Sequence, residues 1–148
     1  MTDALEKLRQ WLQTYPRIAA MRSLKVDYFE PDPDNGSLAP TGLVEISRTE
    51  DILGNVTVEN QYNFALYFVL AKAPGDDVGA TANAKLLLDL QNWVQEQSIR
   101  HLVPVFGDDP RRETVKAQNG AIWEADGDGI ARYMVQLSIN FIKHYEVM

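Results

Sequence analysis

The chain has 148 residues, 45% apolar and 24% charged, with a formal net charge of −7 and no cysteine. That length and composition describe a single globular domain able to bury a core of ordinary density without staples. The missing thiols exclude disulfides, thiolate metal sites and cysteine nucleophiles, and the acidic balance argues against nucleic acid or an anionic membrane surface as partner.

The opening residues MTDALEKLRQWLQTYP show no basic region followed by an apolar run. No signal peptide is therefore expected, and the cytoplasm is the expected compartment. No apolar run approaches the roughly 20 residues of a membrane helix. From Asp3 to Tyr15 the spacing predicts a helix. Asp3 with Glu6 resembles a capping box, and Leu5, Leu8, Trp11, Leu12 and Tyr15 form one stripe. Pro16 is expected to end it. At this spacing Trp11 reads as core rather than as a ligand-stacking ring.

Leu24–Phe29 alternates as a short strand. Glu30 to Pro40, EPDPDNGSLAP, then reads as a turn-rich loop. Its carboxylates Glu30, Asp32 and Asp34 make a calcium site conceivable; a solvated acidic loop is the plainer reading. Leu43–Arg48 is a second strand with Val44 and Ile46 on one face. After a turn at Gly54-Asn55 comes the most regular stretch, Val56 to Lys72. Its even positions are mostly apolar, and its odd positions begin polar at Thr57, Glu59, Gln61 and Asn63. Such alternation marks a strand with one face on a core, and residues 43 to 72 read as an antiparallel hairpin.

After a break at Ala73–Gly79, a second helix is expected from a Thr81 cap to about Ser98, with Leu86, Leu87, Leu90, Trp93 and Val94 on its apolar face. His101–Arg112 is a connector with an apolar centre and a charged tip, Asp108, Asp109, Arg111 and Arg112. Asn119-Gly120 predicts a hairpin between short arms. Ile130–Tyr145 is the second long strand, apolar at odd positions. The expected fold class is α+β: a mostly antiparallel sheet with two long strands and two helices packed on one face.

No catalytic constellation stands out. His101 and His144 lack a nucleophile motif beside them. Glu124, Asp126 and Asp128 resemble the start of a calcium loop, but Val135 occupies the place of its bidentate glutamate. No enzyme activity, cofactor or metal is expected. A small metal- or ligand-binding domain remains the alternative from a different class, resting on the two acidic turns. Long strands leave unpaired edges, which a protein either protects or uses for assembly.

The short helix ending at Tyr15-Pro16, the strand QYNFALYFVLAK followed by LLLDLQNWVQEQ, and the closing run DGDGIARYMVQLSINFIKHYE span most of the chain. In content and order they resemble the small tail-assembly proteins of long-tailed bacteriophages and prophages, in particular the tail terminator (tail-completion) group and related minor capsid proteins. The resemblance implies a non-enzymatic homo-oligomeric ring, typically hexameric, that caps the head-proximal end of the tail tube. Its partners would be its own copies, the tail tube protein and a head-completion protein, and its locations the host cytoplasm and then the virion tail. Another connector or a tube subunit is the nearest alternative. The resemblance fixes no residue one by one. The candidate assembly surface is read from the chain itself: Asp32 and Asp34, the polar row Thr57, Glu59, Gln61 and Asn63, and the tip Asp108, Asp109, Arg111 and Arg112.

Overall fold

The two long alternating segments lie side by side near the middle of a five-stranded sheet. This computed structural model describes residues 4–19, 21, 23–26, 35–71, 77–125 and 130–146. Among them the elements are helices α1 (Ala4–Leu12) and α2 (Pro16–Ala19), and strands β1 (Ser23–Val26), β2 (Asn35–Glu50) and β3 (Val56–Ala71). Helix α3 (Asp77–Ile99), a 3-10 turn (Pro110–Arg112), β4 (Thr114–Ala125) and β5 (Ile130–Tyr145) follow. The fold is α+β. The spatial order is β1-β2-β3-β5-β4; β1 is parallel to β2, and the other pairings are antiparallel.

β3 and β5 pair without interruption from Val56–Tyr145 to Ala71–Ile130. Unbroken period-two alternation keeps even residues of β3 and odd residues of β5 on one face. Phe64, Leu66 and Phe68 thus sit beside Leu137, Val135 and Tyr133. They join Leu38, Val115, the α1 residues Leu8, Trp11 and Leu12, and the α3 residues Leu86, Leu87, Leu90 and Val94 in one buried cluster. Trp93 of α3 stacks on Trp11 with ring centroids 4.9 Å apart. Complete burial of a side chain such as Phe68 or Leu90 contributes about 1.5–3 kcal/mol.

β2 departs furthest from the expected pattern. Residues 35–40, read as the end of a loop, form the inner part of a strand that runs on to Glu50. Bulges follow Pro40 and Glu45. The first accommodates a proline, which sheets tolerate at such irregularities, and Gly42 beside it has φ of 137°, a region that disfavours L side chains. Each bulge inverts the alternation. Val44 and Ile46 therefore do not form the continuous face expected of them. Leu43 and Glu45 stand opposite Tyr62 and Asn60, whereas Arg48 stands opposite Val58.

The Asn119-Gly120 signal is also overruled. Both expected arms belong to β4, and the register skips between Gln118 and Ala121. β5 offers a continuous partner, so long-range pairing absorbs the dipeptide as a bulge instead of a turn. Pro16 opens α2 rather than merely ending the first helix, because its fixed φ and missing N–H suit a first helical position. α3 begins at Asp77, a full turn before Thr81. The expected strand at Leu24–Phe29 is described only to Val26. Glu30, Asp32, Asp34, Asp126 and Asp128 lie outside the described residues. Among those residues, no helix is long and apolar enough to cross a membrane.

Candidate functional site: a bare sheet edge and its apolar tip

β2 changes character along its length. Asn35 to Leu38 are buried, whereas Thr41 to Glu50 are all exposed. β1 covers only Asn35 to Leu38, so among the described residues no strand pairs with the outer edge of residues 41–50. An unpaired edge presents backbone N–H and C=O groups that can accept another chain. This edge also carries apolar side chains: Leu43, Val44 and Ile46 are each about half exposed. The Glu45–Arg48 ion pair at 2.7 Å is exposed and contributes little. Its partners share a face because of the bulge between them.

Residues 51–55 close the β2–β3 arm in a turn that Asp51 organises. Asp51 Oδ1 accepts from the backbone N–H of Leu53 and of Asn55, each at 2.9 Å. Its Oδ2 accepts from Asn55 Nδ2 at 3.2 Å. These bonds, the backbone N–H of Asn55 first, hold the Asp51 carboxyl below its ordinary range. Gly54 supplies the positive φ of 86°. The ordered turn projects Ile52 fully into solvent and leaves Leu53 75% exposed. Two adjacent exposed aliphatic residues on a hydrogen-bonded tip form a presented surface rather than a scattered one.

The opposite side of the sheet carries side-chain caps at the start of β4 and the end of β5. In an antiparallel ladder, alternate residues turn their backbone groups away from the partner. On β4 those groups meet α3: the N–H of Val115 donates to Ser98 Oγ at 3.1 Å, and Gln91 Nε2 donates to the carbonyl of Ala117 at 3.3 Å. Beyond the start of β4 the connector takes over along β5. The N–H of Asp108 donates to the carbonyl of Ile142 at 2.7 Å, and Asp108 Oδ2 accepts from the N–H of His144 at 2.7 Å.

The close approach needs glycine at 107, since a Cβ there would lie 2.3 Å from the Ile142 carbonyl oxygen. Glu113, fully buried, clasps the connector. Its Oε1 accepts from the N–H of Phe106 and of Gly107, while Oε2 has no hydrogen-bond partner among the described residues. Burial pushes its pKa above the ordinary value despite those two donors.

The polar row of β3 is engaged within the sheet. Thr57 Oγ1 lies 3.0 Å from His144 Nδ1. Gln61 Nε2 donates to Asn140 Oδ1 at 3.0 Å, and Ser138 Oγ donates to Asn63 Oδ1 at 3.0 Å. Glu59 stands beside Ile142 in the same row, and all four β3 residues are half-buried. Asp108 caps a strand edge, Asp109 precedes the 3-10 turn, and Arg111 and Arg112 within that turn are exposed. The structure thus gathers the β3 row, but not the connector tip, next to the arm. The apolar residues Leu43, Ile52 and Leu53 were not singled out from sequence; an Ile-Leu pair inside a turn was the available signal. Among the described residues, no three His, Asp or Glu side chains gather as a metal site. No protein-family model matches the chain, and no curated protein matches it significantly.

Proposed function

We propose that this chain is a structural subunit of a long-tailed phage tail. In this reading it is a tail terminator, forming a ring on the head-proximal end of the tail tube and presenting the surface for head joining. Helices α1 and α3 form one layer over one sheet face, and the arm projects toward neighbours. The observation that carries the reading is the apolar edge of Thr41 to Glu50, without a strand partner among the described residues, with its Ile52–Leu53 tip, on a body whose other edge has side-chain caps at Val115, Ala117 and His144. An unpaired strand edge is a place for a partner. The order of elements and the closing β5 segment add the resemblance to tail-assembly proteins.

The test is native mass across a range of concentrations, followed by addition to growing tail tubes. A closed ring of fixed mass that arrests tube growth is the expected result. Unlimited tubes of this chain alone would make it a tube subunit. A strict monomer that ignores tubes would contradict both readings.

A further inference from the structure

We infer that the Ile52–Leu53 tip of one copy seats in the apolar groove at the root of the arm of a second copy, joining copies head to tail. This rests on the reading of the chain as a self-assembling subunit, and it names the contact. The groove holds about 360 Å³ and is lined by Ala4 and Leu5 of α1, Pro40 and Leu43 of β2, and Tyr62 and Phe64 of β3. That is the liquid volume of about a dozen waters, enough for two branched aliphatic side chains.

Three observations choose a second copy as the occupant. First, tip and groove belong to the same arm but cannot meet within one chain. The ladder from Leu43–Tyr62 to Glu50–Val56 holds the strands extended, and at about 3.3 Å per residue the tip stands roughly 23 Å from Leu43. Second, the groove lining carries no charged side chain, and Ile52 and Leu53 are themselves uncharged, on a chain whose net charge is −7. The neighbouring Asp51 carboxylate is turned to the turn's own N–H groups. Identical acidic bodies repel over most of their surface, and an uncharged contact avoids that repulsion. Third, Leu43 belongs both to the groove and to the edge of residues 41–50, which is without a strand partner among the described residues, so a neighbour docked at the root has that edge within reach. Donor and acceptor are different patches of one chain, so the contact is heterologous and generates a ring or a filament rather than a two-fold dimer.

The cysteine-free sequence permits a direct experiment. Leu5→Cys and Leu53→Cys chains, made separately and mixed under oxidising conditions, should cross-link to each other; the Leu53→Cys chain alone should not. In parallel, the Ile52→Ser/Leu53→Ser chain should need about a hundredfold higher concentration to assemble, with unchanged thermal melting of the monomer because both side chains are exposed. Tip-to-tip cross-links, or rings that form at the wild-type concentration with the serine tip, would overturn the tip-in-groove contact and leave the ring reading intact. A wild-type chain that never assembles would overturn both. Serine-tip rings that form normally but no longer bind tail tubes would assign the tip to the tube instead.

Discussion

The two edges of this sheet solve the same problem in opposite ways. On one side Ser98, Gln91 and Asp108 spend side chains on outward backbone groups of β4 and β5, and Glu113 with Gly107 holds the connector against that edge. On the other side the described pairing of β1 with β2 reaches Leu38, and the outer part of β2 runs on with exposed aliphatic residues. Hydrogen bonds that close an edge stabilise the monomer. An edge left open does nothing for the monomer and keeps its pairing capacity for an assembly. Changes on the closed side should therefore appear as stability, and changes on the open side as association.

The largest stability effect is expected at Gly107. Gly107→Ala drives a Cβ into the Ile142 backbone, which is not a flexible side chain that can swing away, and should lower stability by about 3 kcal/mol in chemical denaturation. Glu113→Ala should follow, at about 1–3 kcal/mol, by leaving the N–H groups of Phe106 and Gly107 unpaired.

Glu113→Gln separates charge from hydrogen bonding. The folded pKa of Glu113 is raised, so the stabilisation it offers is full below its ordinary value of about 4.5 and declines as pH rises through the raised folded value. The glutamine variant should lose that decline and gain on the wild type as pH rises above the ordinary glutamate value, as read from melting curves at several pH values. An identical pH profile in both chains would remove the buried-charge account.

Smaller again, Ser98→Ala and Gln91→Ala should each cost about 1 kcal/mol and speed exchange of the Val115 amide in the serine variant. On the open side, Leu43→Ser or Ile46→Lys should change monomer stability by less than about 0.5 kcal/mol while weakening assembly measured by sedimentation. A large loss of monomer stability there would show the arm to be part of the body after all. Reversing charge at Arg111 and Arg112 tests the connector tip: unchanged assembly would remove it as a contact.

How legible each part was follows from what held it. β3 and β5 could be read directly, because a bulge-free pair keeps its period and the core residues from Phe64 to Phe68 and from Tyr133 to Leu137 stand in plain alternation. The apolar stripe of α3 was equally clear. β2 was concealed by its own bulges: Pro40 and Gly42 look like punctuation locally, yet they sit where the ladder slips by a residue. Asn119-Gly120 misled because a continuous partner strand outweighed a strong local turn preference.

The site was less accessible still. The polar row from Thr57 to Asn63 looks like a wet surface in sequence, but its hydrogen-bond partners lie about 80 residues away, as with Gln61 and Asn140. Capping of β4 by Gln91 and Ser98 depends on where α3 lies, which no local pattern encodes. Leu43, Ile52 and Leu53 resemble ordinary strand and turn residues until the structure leaves each of them more than half exposed.

Amide hydrogen exchange at low and high protein concentration tests the central claim most directly. The account predicts that amides of Thr41 to Glu50 and of the Ile52–Leu53 tip become protected as assembly proceeds, while those of β4 at Val115 and Ala117 keep the same protection throughout. Assembly that leaves the arm as fast-exchanging as in the monomer, or that protects the β4 side instead, would contradict it.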